Sequence, residues 1–149
     1  MSAREEITHL MNRYCFALDA GDLDGFASLF EHGEWTMEGF TPKFGKQDLL
    51  HVTSNVILYE DGTPKTKHIT SNVDLKIDDE AGTAKSQCYV TVLQQTDNFP
   101  LQAIFSGHYF DDFERVGGRW RFAKRIIRNM LVGNLSVHLK SAASAAAGA

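Results

Sequence analysis

Four side chains in this sequence have the types needed for proton transfer without a cofactor: Asp19, His68, Tyr14 and Arg125. A histidine whose second ring nitrogen meets a carboxylate is held in one tautomer, becomes more basic, and has its imidazolium stabilised. A tyrosine hydroxyl can donate to a developing oxyanion, and an arginine supplies fixed positive charge. Together these groups suit removal of a proton next to a carbonyl, followed by loss of a β-hydroxyl or by return of the proton elsewhere. Taken singly, each also has a plain structural explanation. Asp19 is a helix-end acid, His68 a strand histidine and Tyr14 a core ring whose hydroxyl wants a partner. Arg125 is a salt-bridge partner as easily as an anion binder.

Position sharpens the question for three of them. Asp19 falls in the last turn of a predicted helix, about 120° from Ile7 and about 40° from Cys15 around the axis. That is the shoulder of the apolar stripe, at an end where the helix dipole opposes a carboxylate. His68, in "KTKHITSN", shares strand parity with Thr70, Asn72 and Asp74, opposite Ile69, Val73 and Leu75. It reaches an apolar interior only if a β-bulge between residues 69 and 72 shifts the register, or if the polar parity is itself the pocket lining. Arg125 shares parity with Ala123 and Ile127, opposite Trp120 and Phe122. If buried there, it needs a partner.

The elements that must position these residues follow from hydrophobic period. Ile7, Leu10, Met11, Tyr14 and Leu18 fall on one arc over residues 4 to 20, a helix that Gly21 ends. Asp22 caps a short second helix carrying Phe26, Leu29 and Phe30, and "KQDLLHVTSNVILY" predicts a third. Between them, "GEWTMEG" alternates as a strand. From residue 65 the period becomes two, giving four long strands with turns at Gly82, before Pro100 and at Gly117-Gly118. Helices first and a strand meander last predict an α+β layer fold, three N-terminal helices on a curved antiparallel sheet. The apolar interior of such a cone is the default small-molecule site. Trp35, Met37, Phe40, Val56, Tyr89 and Phe105 are its candidate walls. One domain is expected over residues 1–140, with the Ala-rich tail, 141–149, disordered.

Composition narrows the partners. With 15 Lys+Arg against 19 Asp+Glu, the net charge of −4 argues against nucleic acid or an anionic membrane as the main partner. Charged residues interrupt "MSAREEITHLMNRY", so no signal peptide or membrane span is read there and a cytoplasmic protein is expected. The six histidines are never closer than 17 positions, and Cys15 and Cys88 lie 73 apart, so neither a local metal pair nor a disulfide framework is predicted. No glycine-rich phosphate loop, dinucleotide fingerprint or serine elbow is present. No metal and no cofactor are expected. The open face of the sheet predicts a homo-oligomer, dimer or trimer.

The segments "YCFALDAGDLDGFASLFEHGEWTMEG", "KHITSN" and "GHYFDDFERVGGRWRFAKR" resemble, in order and spacing, the nuclear transport factor 2-like superfamily with its cone-shaped α+β barrel. Within it they are most similar to the SnoaL-like branch, which includes scytalone dehydratase, hexachlorocyclohexane dehydrochlorinase and bile acid 7α-dehydratase. The resemblance spans residues 4 to 132. It implies that Asp19 and His68 form a hydrogen-bonded dyad with the histidine as base, and that Arg125 is an active-site arginine. Tyr14 stands where the bile acid enzyme has a tyrosine and the dehydrochlorinase a lysine, which leans toward dehydration. The bile acid enzyme's carboxylate on the second long strand has no counterpart, because residues 84 to 95 contain no Asp or Glu. The implied activity is a cofactor-independent lyase, a dehydratase of a hydrophobic cyclic or aromatic small molecule. A ketosteroid-isomerase-like enzyme and a non-catalytic assembly subunit are the alternatives.

Overall fold

Ser2 opens the first helix with a capping box: its hydroxyl accepts the Glu5 amide at 3.2 Å while Glu5 accepts the Ser2 amide at 2.7 Å. The computed structural model describes residues 1–148. Helix α1 (Ala3–Asp19) buries Ile7, Met11, Tyr14, Cys15 and Ala17, and Asp22 caps α2 (Leu23–Ser28) through the Gly25 amide at 2.9 Å. Next come β1 (Glu34–Met37), β2 (Lys43–Phe44) and α3 (Gly45–Thr53). The meander is β3 (Thr66–Asp78), β4 (Thr83–Thr96), β5 (Phe99–Val116) and β6 (Arg119–Val132), and α4 (Lys140–Gly148) follows.

The strands form one curved sheet in the order β2-β1-β6-β5-β4-β3, with β3 and β2 at its edges. The sheet is therefore open rather than a closed barrel, and it is not purely antiparallel. β1 lies parallel to β6, Trp35 beside Arg125 and Met37 beside Ile127. The segment with α3, between β2 and β3, carries the chain from one edge of the sheet to the other.

The core lies between helices and sheet. Phe26 and Phe30 from α2 and its C-terminal turn meet Tyr14 edge-on at 5.0 and 6.0 Å, and Phe30 stacks on Phe122 at 4.8 Å. Burying aromatic rings of this size contributes much of the stability of such a domain. The face away from the helices stays open, with Ile69, Val73 and Tyr89 about half exposed.

The third helix is shorter than expected. It stops at Thr53, so Val56 and Ile57 leave it; Val56 instead forms an isolated bridge to Leu139. The Ala-rich tail, expected to be disordered over 141–149, is helical as α4, with residue 149 outside the described residues. Alanine has the highest helix propensity, and the start of α4 is tied down by Asn55. The Asn55 carbonyl accepts the Lys140 amide at 2.8 Å, and its side chain exchanges hydrogen bonds with Ser141, each at 2.9 Å.

Candidate active site

The end of α1 is docked onto the entrance of β3 by one close backbone contact. Gly21 has φ of 74°, and a Cβ built there would lie 1.9 Å from the Gly62 carbonyl oxygen. Only glycine permits both the left-handed conformation and the approach. With that contact made, the Asp19 carboxylate meets the first residues of β3. Its Oδ1 accepts the Thr66 hydroxyl at 2.9 Å and stands 2.6 Å from His68 Nδ1, and its Oδ2 accepts the His68 amide at 2.8 Å. An ionised carboxylate is only an acceptor, so in the neutral ring the proton sits on Nδ1 and the lone pair on Nε2. The pair is largely shielded, His68 with 10% and Asp19 with 17% of the side chain exposed.

His68 faces the interior because the polar parity of β3 lines it at the strand entrance, and a bulge follows. Between the pairs Ser71–Tyr89 and Asp74–Gln87, β3 places Asn72 and Val73 opposite the single residue Cys88. This is a bulge at the far end of the expected window, with Asn72 at φ of 57°. Before it, the even residues Thr66, His68 and Thr70 face inward; after it, the odd residues Leu75 and Ile77 do. The polar parity lines the interior at the strand entrance, and the bulge restores an apolar lining beyond it.

Tyr14 and Arg125 form a second cluster. A bulge at Ala123, between the pairs Asp112–Lys124 and Phe113–Phe122, brings Arg125 onto the inward face already used by Trp120 and Phe122. Arg125 is fully buried, and Asp111 holds it by two bonds, Nε at 2.7 Å and Nη2 at 2.8 Å; Ser86 donates to the same carboxylate at 3.1 Å. Burial alone would lower the arginine's pKa, but the Asp111 carboxylate more than offsets this and the pKa is raised. The guanidinium lies 4.3 Å from the Tyr14 ring centre and 3.8 Å from that of Tyr109. Its Nη1 has no hydrogen-bond partner among the described residues. Tyr14 accepts the Trp35 indole N–H at 3.0 Å, and burial raises its pKa, opposed by Arg125 and by hydrogen bonds from Trp35 and Tyr109. It therefore stays protonated and can donate. Cys15, between the clusters, responds to both: burial pushes its thiol up to about 11, Arg125 pulls it down, and Asp19 pushes it further up.

The expected walls divide. Trp35, Met37 and Phe105 pack against the core from the inner side. Tyr89 does not line the interior: its neighbours Cys88 and Val90 point inward, and Tyr89 itself meets His108 edge-on at 5.0 Å on the open face. Phe40 is 67% exposed in the loop after β1. Val56 sits near the C-terminal segment, at its bridge to Leu139. The sequence reading missed Thr66, Asp111, Tyr109 and His138. Asp111 was detectable, as the polar member of the inward series Tyr109, Asp111, Phe113. Among the described residues, no group of three His, Cys, Asp or Glu side chains is placed to hold a metal ion. Surface grooves run among Lys76, Lys85, Asp112 and Lys124, and along Tyr59, Asp61 and Lys65.

A SnoaL-like domain model matches residues 1–126. The chain belongs to the SnoaL-like family. No curated protein matches the sequence. Among solved structures, this SnoaL-like chain is similar to a function-unknown protein from Mycobacterium tuberculosis, with 22% identity over 95% of this chain and 84% of that one and a TM-score of 0.73. It is similar to a putative scytalone dehydratase from Novosphingobium aromaticivorans, with 24% identity, 87% and 86% coverage and a TM-score of 0.68. It is also similar to LinA, with 24% identity, 87% and 88% coverage and a TM-score of 0.68. At these identities the likenesses show the nuclear transport factor 2-like, cystatin-like fold. No helix among the described residues is long and apolar enough to cross a membrane.

Proposed function

We propose that this SnoaL-like protein is a cofactor-independent lyase, a dehydratase acting on a hydrophobic cyclic or aromatic hydroxy-ketone. The observation that carries the reading is the Asp19–His68 contact: a carboxylate on Nδ1 and on the backbone amide of the same histidine fixes both the ring's tautomer and its place. His68 Nε2 takes the proton from the carbon next to the substrate carbonyl. The electron pair moves to the carbonyl oxygen as an enolate, which the Tyr14 hydroxyl meets as donor while Arg125 supplies fixed positive charge. When the enolate collapses, the carbon–oxygen bond to the β-hydroxyl breaks, and the His68 imidazolium returns its proton to that oxygen, giving water and an enone. A positioned base of this kind contributes about 10²- to 10⁴-fold.

One observation favours a second reading, a non-catalytic binding or assembly subunit. Arg125, fully buried and bidentate with Asp111, is accounted for by core packing alone. A scaffold, however, has no use for a shielded dyad with one ring nitrogen free. The experiment that decides is a screen of cyclic β-hydroxy ketones and β,γ-unsaturated ketones with the purified protein, followed by ultraviolet absorbance of the conjugated product. Loss of water from the first set marks the lyase, conjugation of the second marks an isomerase, and silence in both, with a copurifying larger subunit, marks the scaffold.

The open sheet face fits a second copy of the same chain. It presents Ile69, Val73 and Tyr89 within a surround of both charge signs, Lys85 and Lys124 with Asp74 and Asp112, which allows self-complementary pairing. A homo-oligomer, dimer or trimer, is the expected state; sedimentation equilibrium showing only monomer at micromolar concentration refutes it.

A further inference from the structure

The segment between β6 and α4 carries a second histidine, His138. Its backbone is pinned on several sides: Ile57 N–H donates to the His138 carbonyl at 2.8 Å, and His138 N–H donates to Leu135 at 3.0 Å. The neighbouring Val137 carbonyl accepts from Gln94 Nε2 at 3.1 Å and from the Tyr59 hydroxyl. Gln94 stands opposite Thr66 in the β3–β4 register, and Thr66 is the residue whose hydroxyl donates to Asp19. One rigid path thus ties the His138 turn to the dyad. The titratable groups that act on its ring are His68 from β3 and Asp19 from α1.

The ring is set up for a partner it lacks. His138 Nδ1 is buried with no hydrogen-bond partner among the described residues. An unsatisfied buried polar atom is costly, and a leucine or phenylalanine would fill the same volume without that cost. Burial, and then repulsion from His68, lowers the pKa to about 4, so the imidazole is neutral at pH 7. A neutral ring has one lone pair and one N–H to offer. It does not compete with His68 for the abstracted proton.

We propose that His138 is a substrate-contacting residue of the Asp19–His68 site, its imidazole accepting a hydrogen bond from a hydroxyl of the substrate. This rests on the reading of the site as one that takes an apolar, hydroxylated small molecule, and it names the group that recognises the hydroxyl. The role is orientation and selectivity: a ligand of the same shape without the hydroxyl gains nothing from His138.

The test uses 2-naphthol and 2-methylnaphthalene as probes of equal shape, read by NMR of protein labelled at histidine. With 2-naphthol, the His68 and His138 ring signals shift together. His138→Phe weakens 2-naphthol by about fivefold or more, the loss of one hydrogen bond, and leaves 2-methylnaphthalene unchanged. His138→Gln, which keeps an acceptor, stays within about twofold of wild type and serves equally well if the phenylalanine variant does not fold. A 2-naphthol response at His68 but not at His138, or equal losses for both probes, overturns the role of His138 and leaves the dyad reading standing. No response at either histidine to either probe overturns the apolar-site reading and this inference with it.

Discussion

Asp19 grips His68 twice, Oδ1 at 2.6 Å from the ring Nδ1 and Oδ2 at 2.8 Å from the backbone amide. One carboxylate thereby fixes the histidine's chain position and its ring orientation together. The ring contact requires Nδ1 to carry the proton. Nitrogen-15 spectra of the neutral form of the His68 ring are expected to show its proton on Nδ1. In Asp19→Asn the preference weakens, because an amide can also donate. A wild-type ring with its neutral-form proton on Nε2 contradicts the geometry.

The Gly21–Gly62 contact is the hinge pin of the site. In Gly21→Ala the new methyl meets the Gly62 carbonyl oxygen, and φ of 74° is strained for alanine. Backbone strain of this sort costs about 1–3 kcal/mol, and the loop must also move away from α1. Urea denaturation is expected to show a loss of at least about 2 kcal/mol, with the His68 ring signal shifted toward that of Asp19→Asn. Unchanged stability refutes the docking role.

Arg125 and Asp111 are a buried pair whose value lies in being complete. Asp111→Ala leaves a buried guanidinium without its carboxylate and is expected to cost about 3–5 kcal/mol. Removing both charges, as Asp111→Leu with Arg125→Met, recovers most of that loss in the same denaturation assay. If Asp111→Ala is as stable as wild type, the pair is not the structural unit described.

The low pKa of His138 makes stability depend on pH. Its folded value of about 4 lies below the ordinary 6.5, so between those values the unfolded chain binds more protons. Stability from this group is present above pH 6.5 and is lost as pH falls toward 4. Denaturation at pH 7 and pH 5 is expected to differ by about 2 kcal/mol from His138, and His138→Gln removes that part of the difference. An identical pH dependence in the variant contradicts the buried, neutral imidazole.

Much of this was legible in the sequence wherever a period or a cap carried it: α1 with its Gly21 stop, the Asp22 cap and the four-strand meander. Alternation alone misplaced what bulges control. Parity put His68 opposite Leu75, and the bulge at Asn72 and Val73 is what allows both to face inward. Parity also set Arg125 against Phe122 until Ala123 bulged out. Tyr89 reads as a wall because an aromatic in a strand looks the same on either face. The parallel pairing of β1 with β6 left no local trace, since it joins segments about 90 residues apart. His138 was invisible because a histidine in an irregular segment has no period to place it.

In the proposed reaction His68, held by Asp19, removes the first proton. The most direct measurement is the rate of enone formation from whichever cyclic β-hydroxy ketone the wild-type protein turns over, compared in His68→Gln and Asp19→Asn proteins whose circular dichroism is unchanged. The expected result is a fall of about 10²-fold or more in His68→Gln, with a large fall in Asp19→Asn. Wild-type rates in either variant would contradict the account.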